Sequence, residues 1–397
     1  MPHVAPFDGL VYDPAVVGSV AAATAPPYDV ILADELAHFR RSSPHSITHV
    51  DLTEDAPGAA REDQYTAAGR TFRRWREEGA LVRVGRPAVY PYEMSFTFQG
   101  VDRRIRGLIL EVGLERWGEG VVPHEKTMRG PVEDRLAVLR ATGANLSPIY
   151  AVVDGPSEPQ TEILESAAAR EPRFEVEDER GVVHRLWVET DPGHLLDWYR
   201  ERRLLIADGH HRYQTALTHR EEMRAAHGPG PWDAVMMLVV DAAAEDPPVL
   251  PIHRVVSVDP LPEVAGHLVR DLGEILAVLR EDDLRFGAAF TRDGELYHLV
   301  GTLDGEPPTV QALHDVLLDR MEGVREVRFV PDPVIAEEAI RSGQGDLALF
   351  LPPARVGDIN RVIASGGRLP QKSTYFWPKP RTGLVMRPLD TNEPGLG

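Results

Sequence analysis

The spacing of apolar side chains predicts both strands and helices in the first third of the chain. Apolar residues alternate with other residues at 90–98, which predicts a strand with one apolar face. The apolar segment 104–114 predicts the next strand, and apolar residues at helical spacing around 65–75 predict an amphipathic helix. This part of the chain therefore mixes helix and sheet.

The middle of the chain has the order strand, helix, strand. Residues 204–207 form a short continuous apolar run, typical of a strand buried on both faces, and residues 234–240 form another. Between them, residues 211–223 have helical composition. This order is the unit of an α/β layer, so we predict a mixed α/β fold.

Further elements follow from local signals. The prolines of APPYDVI at 25–31 should hold the chain extended before a short strand, and this segment could be a turn or pocket wall. Other expected features are a helix at 132–140 that breaks at Gly143, a helix within 192–202, a hairpin turn at Asp293-Gly294, a strand at 346–351, and a helix at 356–363 that Gly366-Gly367 ends. The variable segment 155–184 could contain a domain boundary.

Length and composition predict a folded protein of more than one domain. The chain has 397 residues, of which 43% are hydrophobic and 26% charged, close to the average of globular proteins. It contains no cysteine, which excludes disulfides, thiolate metal sites and cysteine nucleophiles. No run of apolar residues approaches the roughly 18 that a membrane helix needs. We expect a cytoplasmic protein, because the first residues do not resemble a signal peptide.

The charge of the chain argues against a nucleic-acid partner. The formal net charge is −19, and no local run of arginine and lysine offsets it. Non-specific binding to nucleic acid needs a basic surface that displaces the counterions of phosphate groups. A small anionic ligand remains compatible with this charge, because a few arginines and a helix N-terminus can form a positive pocket.

The strongest candidate for chemistry is the turn between the strand at 204–207 and the following helix. There, Asp208 and Gly209 precede His210, His211 and Arg212. Backbone N–H groups without intrahelical acceptors and the positive end of the helix dipole meet at such a turn, and glycine lets a ligand approach the backbone closely. Arg212 could bind phosphate oxygens, Asp208 could act as a base or magnesium ligand, and His211 could contact a phosphate or the attacking hydroxyl.

Two other interpretations of this turn stay open. Asp208 could simply cap the helix, with solvated histidines beside it. A zinc site of His210, His211 and His219 is less favoured, because adjacent helical residues point about 100° apart and no pair of histidines has i, i+4 spacing. The sequence leaves the metal unknown.

Three polar segments elsewhere supply further candidates. His124 and Glu125 precede a helix, and Asn145 and Ser147 offer amide and hydroxyl groups for substrate binding. Near the end of the chain, Lys372 and Ser373 resemble the end of a phosphate loop without its glycines. We expect Tyr375, Phe376 and Trp377 to anchor that tail while Lys372 faces the phosphate pocket. The alternative is a structural strap whose lysines are solvated.

Six segments in order resemble the prokaryotic family known as domain of unknown function 1015. They are APPYDVI at 25–31, HEKT at 124–127 with DRL at 134–136, ATGANLSPIY at 141–150, IADGHHRYQTAL at 206–217, LPIHRVV at 250–256 and PQKSTYFWPK at 370–379. This resemblance covers nearly the whole chain and implies no activity.

The segment DGHHR is also similar to the signature of the free serine kinases, which belong to the ParB/sulfiredoxin-like nucleotide-binding superfamily. That resemblance implies that the turn Gly209 to Arg212 holds nucleotide phosphates. Sulfinic acid reduction is excluded, because His210 stands where sulfiredoxin needs a cysteine. The kinases' catalytic acid lies outside this segment, and Glu125 is a candidate for it.

Together these observations predict a ParB/sulfiredoxin-like nucleotide-binding core with larger flanking α/β regions. The expected domains are an N-terminal region at 1–154, a core at 185–260 and a C-terminal region at 261–397. The favoured function is phosphoryl transfer from ATP or ADP, with Mg²⁺, to a small hydroxylated metabolite such as serine. The alternatives are a nucleotide-binding regulator with slow NTPase activity and a metal-dependent hydrolase. The oligomeric state is not predicted.

Overall fold

The chain consists of two compact units. The computed structural model describes residues 2–53, 61–123, 129–153, 155, 157–199, 202–303, 309–364, 368–370 and 372–390. Among these, unit 1 comprises the described residues up to 247 together with 378–390, and unit 2 comprises those of 248–377. The last residues of the chain therefore return to unit 1. The three sequence-based domain ranges do not coincide with these two units.

Unit 1 is a mixed α/β body. Its strands are β1 (Val4–Ala5), β2 (Leu10–Tyr12), β3 (Leu81–Arg83), β4 (Tyr90–Phe98), β5 (Val101–Gly113), β6 (Val121–Pro123), β7 (Ala144–Asn145), β8 (Ile149–Val153), β9 (Phe174–Glu177), β10 (Val183–Leu186), β11 (Leu204–Asp208), β12 (Ala234–Asp241) and, near the end of the chain, β21 (Arg387–Pro388). Its helices are α1 (Pro14–Val17), α2 (Val20–Ala23), α3 (Ala33–Ser42), α4 (Thr48–Asp51), α5 (Arg61–Glu77), α6 (Arg129–Thr142), α7 (Glu158–Ala168), α8 (Leu195–Tyr199), α9 (His210–His227) and α10 (Ala242–Glu245).

One large sheet organises unit 1. Within the described residues it has nine strands in the order β6-β11-β8-β12-β5-β4-β10-β9, with β1 paired to β5. Strand β11 runs parallel to β6 and antiparallel to β8, while β8 runs parallel to β12. Helix α9 packs on this sheet through Tyr213, Ala216 and Leu217, which belong to the same buried cluster as Ile206 and Val239. The sheet and α9 thereby fix the end of β11.

Unit 2 has its own sheet and core. Its strands are β13 (Val249–Leu250), β14 (His253–Val258), β15 (His267–Val269), β16 (Arg285–Arg292), β17 (Glu295–Thr302), β18 (Val324–Val330), β19 (Leu347–Phe350) and β20 (Tyr375–Phe376), and its helices are α11 (Leu272–Glu281), α12 (Thr309–Val316), α13 (Pro333–Arg341) and α14 (Val356–Ala364). Six strands form an antiparallel sheet in the order β15-β17-β16-β19-β14-β18, and α11 and α13 bury their apolar faces against it.

The strongly periodic segments form the elements that the sequence predicts. Strands β4, β5, β11 and β12 and helices α5, α6 and α9 are all present, and Gly143, with φ +60°, follows α6. The turn at Asp293-Gly294 joins β16 to β17 with two residues of positive φ, as a tight hairpin requires. Helix α14 covers the predicted final helix, and Gly366-Gly367 lies outside the described residues.

Two local predictions are wrong. The strand expected after Pro26-Pro27 is a short 3₁₀ helix at Tyr28–Val30, because the Val30 N–H donates to the Pro27 carbonyl (3.1 Å) and no neighbouring strand pairs with this segment among the described residues. No domain boundary falls in 155–184, since β9 and β10 extend the large sheet of unit 1.

Candidate functional site

The turn from β11 to α9 places Asp208 at the end of a buried strand and His210 at the start of a helix. Gly209 between them has φ +97°, a backbone conformation that residues with a Cβ rarely adopt. A Cβ at position 209 would also lie 3.0 Å from Arg212 Nε. Glycine therefore permits both the turn and the close approach of Arg212.

Asp208 is shared by two cations. Arg212 Nη2 lies 2.5 Å from Asp208 Oδ2, and Lys379 Nζ lies 2.6 Å from Asp208 Oδ1. The side chains of Asp208, Arg212 and Lys379 are 14%, 11% and 7% exposed, respectively. Since charged hydrogen bonds are stronger when water is largely excluded, this arrangement fixes both cations beside the first turn of α9.

Arg212 also contacts the segment before β8. Its Nη1 donates to Ser147 Oγ (2.8 Å) and to the Pro148 carbonyl (2.6 Å). Its Nε is buried and has no hydrogen-bond acceptor in the part of the chain that the structure describes. A buried N–H of this kind is costly unless an acceptor satisfies it, which makes Nε a natural donor to a bound anion.

A second carboxylate lies on the other side of the lysine. Lys379 Nζ donates to Asp29 Oδ2 at 3.1 Å as well as to Asp208. Asp29 is in the 3₁₀ helix Tyr28–Val30, and its side chain is 20% exposed. Two carboxylates thus flank one buried amine.

A buried ion pair continues the charged cluster. Arg135, on α6, donates to Asp51 Oδ1 and to the Asp51 carbonyl, both at 2.8 Å, and its guanidinium lies 4.0 Å from the centre of the Tyr28 ring. Burial raises the pKa of Asp51, although the nearby Arg135 and Arg212 oppose the shift. Burial, with Asp29 next to it, raises the pKa of Tyr28 to about 12. Tyr28 is therefore a neutral hydrogen-bonding group at pH 7.

Four of these groups, Tyr28, Asp51, Arg135 and Arg212, border an open pocket in unit 1. Its walls are partly apolar and partly polar, with Tyr28, Asp51, Arg135, Val138, Leu139, Ala144, Asn145, Leu146, Ser147, Ile149, Arg212, Thr215 and Val235 as the lining residues. A pocket with apolar walls and a few buried charges suits a small polar ligand.

The structure brings together several of the residues that the sequence singles out. Asn145 and Ser147 line the same pocket as Arg212, and Asn145 Oδ1 accepts a hydrogen bond from the Met236 N–H. His210 is buried in the first turn of α9, and His211 is partly buried beside it.

The remaining candidates are not among the described residues that line this pocket. His124 and Glu125 are outside the described residues. Lys372 and Ser373 belong to unit 2, where Ser373 Oγ donates to the Pro370 carbonyl. His219 is buried on α9, where burial lowers its pKa. No group of three or more metal-binding side chains occurs among the described residues.

Sequence reasoning missed the roles of Tyr28, Asp29, Asp51, Arg135 and Lys379. Except for Asp51, each lies in a segment that carries the family resemblance. For the lysine there was a further signal, because 43 arginines and lysines include only three lysines, at 126, 372 and 379. Lysine differs from arginine in presenting a compact ammonium group.

The fold and this charged cluster define a mixed α/β protein with a buried polar site at the start of a helix. The family model described as "Protein of unknown function (DUF1015)" matches residues 4–317. The chain belongs to this family. No curated protein matches the chain.

Several solved structures are similar to this chain at low identity. A free serine kinase in complex with AMP is 14% identical, with a TM-score of 0.37 over 70% of this chain and 92% of the kinase. A conserved hypothetical protein from Pyrococcus furiosus is 13% identical, with a TM-score of 0.36 over 70% and 95%. SbnI with a C-terminal truncation, from Staphylococcus aureus, is 11% identical, with a TM-score of 0.38 over 70% and 87%. Among the described residues, no helix has the length and apolar character needed to cross a membrane.

Proposed function

We propose that this protein is a nucleotide-dependent phosphotransferase that phosphorylates a small hydroxylated metabolite. One observation carries the proposal: Arg212 and Lys379 converge on Asp208 at the N-terminus of α9, with Asp29 on the far side of the lysine. Phosphoryl transfer needs mainly positioning and neutralisation of charge, and these groups provide both.

The backbone N–H groups of Gly209, His210 and His211 would hold phosphate oxygens with the help of the α9 dipole. Arg212 would add its buried Nε–H, and Lys379 its ammonium group. Lys372 and Ser373 remain proposed phosphate ligands, and His211 a proposed contact of the phosphate or hydroxyl. The donor of the phosphoryl group would be ATP or ADP.

The acceptor hydroxyl needs a base, and the site offers carboxylates for this role. Asp208 and Asp29 both contact Lys379, a proposed phosphate ligand, and are candidates for the base, as is Glu125. Carboxylate oxygens are also the ligands that Mg²⁺ prefers, so Asp208 and Asp29 fit such an ion. When bound, Mg²⁺ would neutralise charge on the phosphates. The pocket beside Arg212, with Asn145 and Ser147 in its wall, would receive the acceptor.

A thermal-shift screen with ATP, ADP and CTP, each with and without magnesium, tests the proposal. A ligand that binds only the folded state adds about 2.7 kcal/mol of stability at a hundredfold excess over Kd, which is readily measured. Phosphorus NMR with the stabilising nucleotide and a panel of hydroxylated metabolites, serine included, then detects the phosphorylated product. The absence of any shift at millimolar nucleotide would contradict the proposal.

A further inference from the structure

The segment that carries Lys379 is held to unit 1 by its own contacts. Lys379 stands between Pro378 and Pro380, which restrict the backbone on either side of it. Three residues after Lys379, Thr382 pairs with Ala25: the Thr382 N–H donates to the Ala25 carbonyl at 2.8 Å, and the Ala25 N–H donates to the Thr382 carbonyl at 3.2 Å. The position of Lys379 is therefore set by how residues 381 and 382 are attached.

Arg381 supplies most of that attachment. Its side chain is 1% exposed, and its guanidinium donates to both carboxylate oxygens of Glu179 at 2.9 Å. Its Nε donates to Thr24 Oγ1 (2.8 Å), and its Nη2 donates to the carbonyls of Ala21 and Thr24 (both 3.1 Å). Its backbone N–H donates to the Tyr92 hydroxyl (3.0 Å). Arg381 thus joins the segment at 21–25 to the segment that carries the lysine.

Each of the two joined segments leads directly to one charged group of the site. From Thr24, two prolines lead to Asp29, and from Arg381 a single proline leads back to Lys379. Proline limits backbone freedom, so the contacts of Arg381 restrict the positions that Lys379 and Asp29 can take. The Lys379–Asp29 contact of 3.1 Å links these two segments.

We propose that Arg381 is a positioning residue of the phosphotransferase site: by joining residues 21–25 to residues 379–382, it sets Lys379 against Asp29 and Asp208. This inference rests on the proposed function for its catalytic consequence, but the placement of the lysine can be tested without it. The chain offers a matched control in Arg387. That arginine is 4% exposed, binds Glu111 and the carbonyls of Pro231 and Ala234, and anchors the same tail eight residues after Lys379.

The experiment compares Arg381→Met with Arg387→Met and the parent protein. The first measurement is the rate at which acetic anhydride acetylates Lys379, read by mass spectrometry with the other two lysines as internal references. The second is steady-state kinetics with the nucleotide and acceptor found by screening. We expect Arg381→Met to raise the acetylation rate of Lys379 by about tenfold, equivalent to about 1.4 kcal/mol of lost protection, and to lower kcat more than it raises KM. Arg387→Met should change these quantities by less than about twofold.

Three results would overturn the inference. They are an unchanged acetylation rate in folded Arg381→Met, equal effects of both arginine variants, and an effect on KM alone. If the parent transfers no phosphate but the acetylation rates differ as expected, the positioning of Lys379 is supported and the proposed function fails. Should Arg381→Met not fold, Thr24→Ala, which removes one of the hydrogen bonds to Arg381, is measured in the same way.

Discussion

Asp208 is at the centre of the charged cluster, because it binds Arg212 and Lys379 at the same time. Because its carboxylate contacts both cations, Asp208 can hold both side chains in one orientation beside the proposed phosphate position. Its contact with Arg212 spans four positions of the chain, whereas its contact with Lys379 spans 171. Local sequence signals therefore indicate the first contact and cannot indicate the second.

Replacing Asp208 by asparagine separates catalysis from binding. Asp208→Asn keeps the shape of the side chain but removes the charge that a base or metal ligand needs. We expect turnover to fall by about a hundredfold or more, while nucleotide affinity changes by less than tenfold. Steady-state kinetics and calorimetric titration measure the two quantities. Parallel loss of folding and binding would instead assign Asp208 a purely structural role.

The two described lysines of the tail can be ranked by substitution. Lys379→Ala removes a buried amine from between two carboxylates, so we expect nucleotide affinity to fall by at least about tenfold, in line with about 1.5–3 kcal/mol for a charged hydrogen bond. Lys372→Ala tests the prediction from sequence that Lys372 faces the phosphates. We expect the smaller loss at Lys372, and the opposite order would transfer the phosphate-binding role to it.

At the scale of elements, the strand, turn and helix from β11 to α9 form the scaffold of the site. The sequence predicts these elements because their patterns are local: a continuous apolar run, a glycine, and a helix that begins with polar residues. The segment after Pro26-Pro27 shows the limit of such patterns. Its apolar residues suit a strand, but strand formation needs a partner, and partners are set by the tertiary fold.

The turn at Gly209 gives a prediction at this scale. Gly209→Ala should cost about 1–2 kcal/mol of stability, because alanine is strained at φ +97°. Gly118→Ala is the control, since Gly118 has φ +90° and open space where a Cβ would be added. Chemical denaturation should show similar losses for both variants. Nucleotide affinity should fall in Gly209→Ala alone, because its Cβ would displace Arg212, and equal affinities would contradict the role of this turn.

At the scale of the whole molecule, each unit contains a histidine that is buried in its neutral form. Burial lowers the pKa of His184 in unit 1 despite its hydrogen bond with Asp178. In unit 2, burial lowers the pKa of His253 to about 3, and His253 Nδ1 accepts the Leu351 N–H at 3.2 Å. In the unfolded chain these histidines bind protons below the ordinary histidine pKa of about 6.5. In the folded chain they stay neutral to a lower pH.

The stability that the neutral histidines contribute should therefore be fully present above about pH 6.5. For His253, it should be lost progressively as the pH decreases toward 3. At pH 5 we expect a loss on the order of 2 kcal/mol from His253. Urea unfolding at pH 7.5 and pH 5 measures the difference. His253→Asn should reduce it, while the exposed His194→Asn should leave it as in the parent. An equal pH dependence in His253→Asn and the parent would contradict this account of His253.

The most direct test of the central claim is calorimetric titration of the stabilising nucleotide into the parent, Arg212→Ala and Arg224→Ala. Arg212 and Arg224 lie on the same helix, but the Arg224 side chain is 52% exposed and pairs with Asp233, away from the proposed phosphates. We predict that Arg212→Ala weakens binding by at least about tenfold and that Arg224→Ala binds like the parent. Equal affinity in Arg212→Ala and the parent would contradict the proposal that the start of α9 holds the phosphates of a nucleotide.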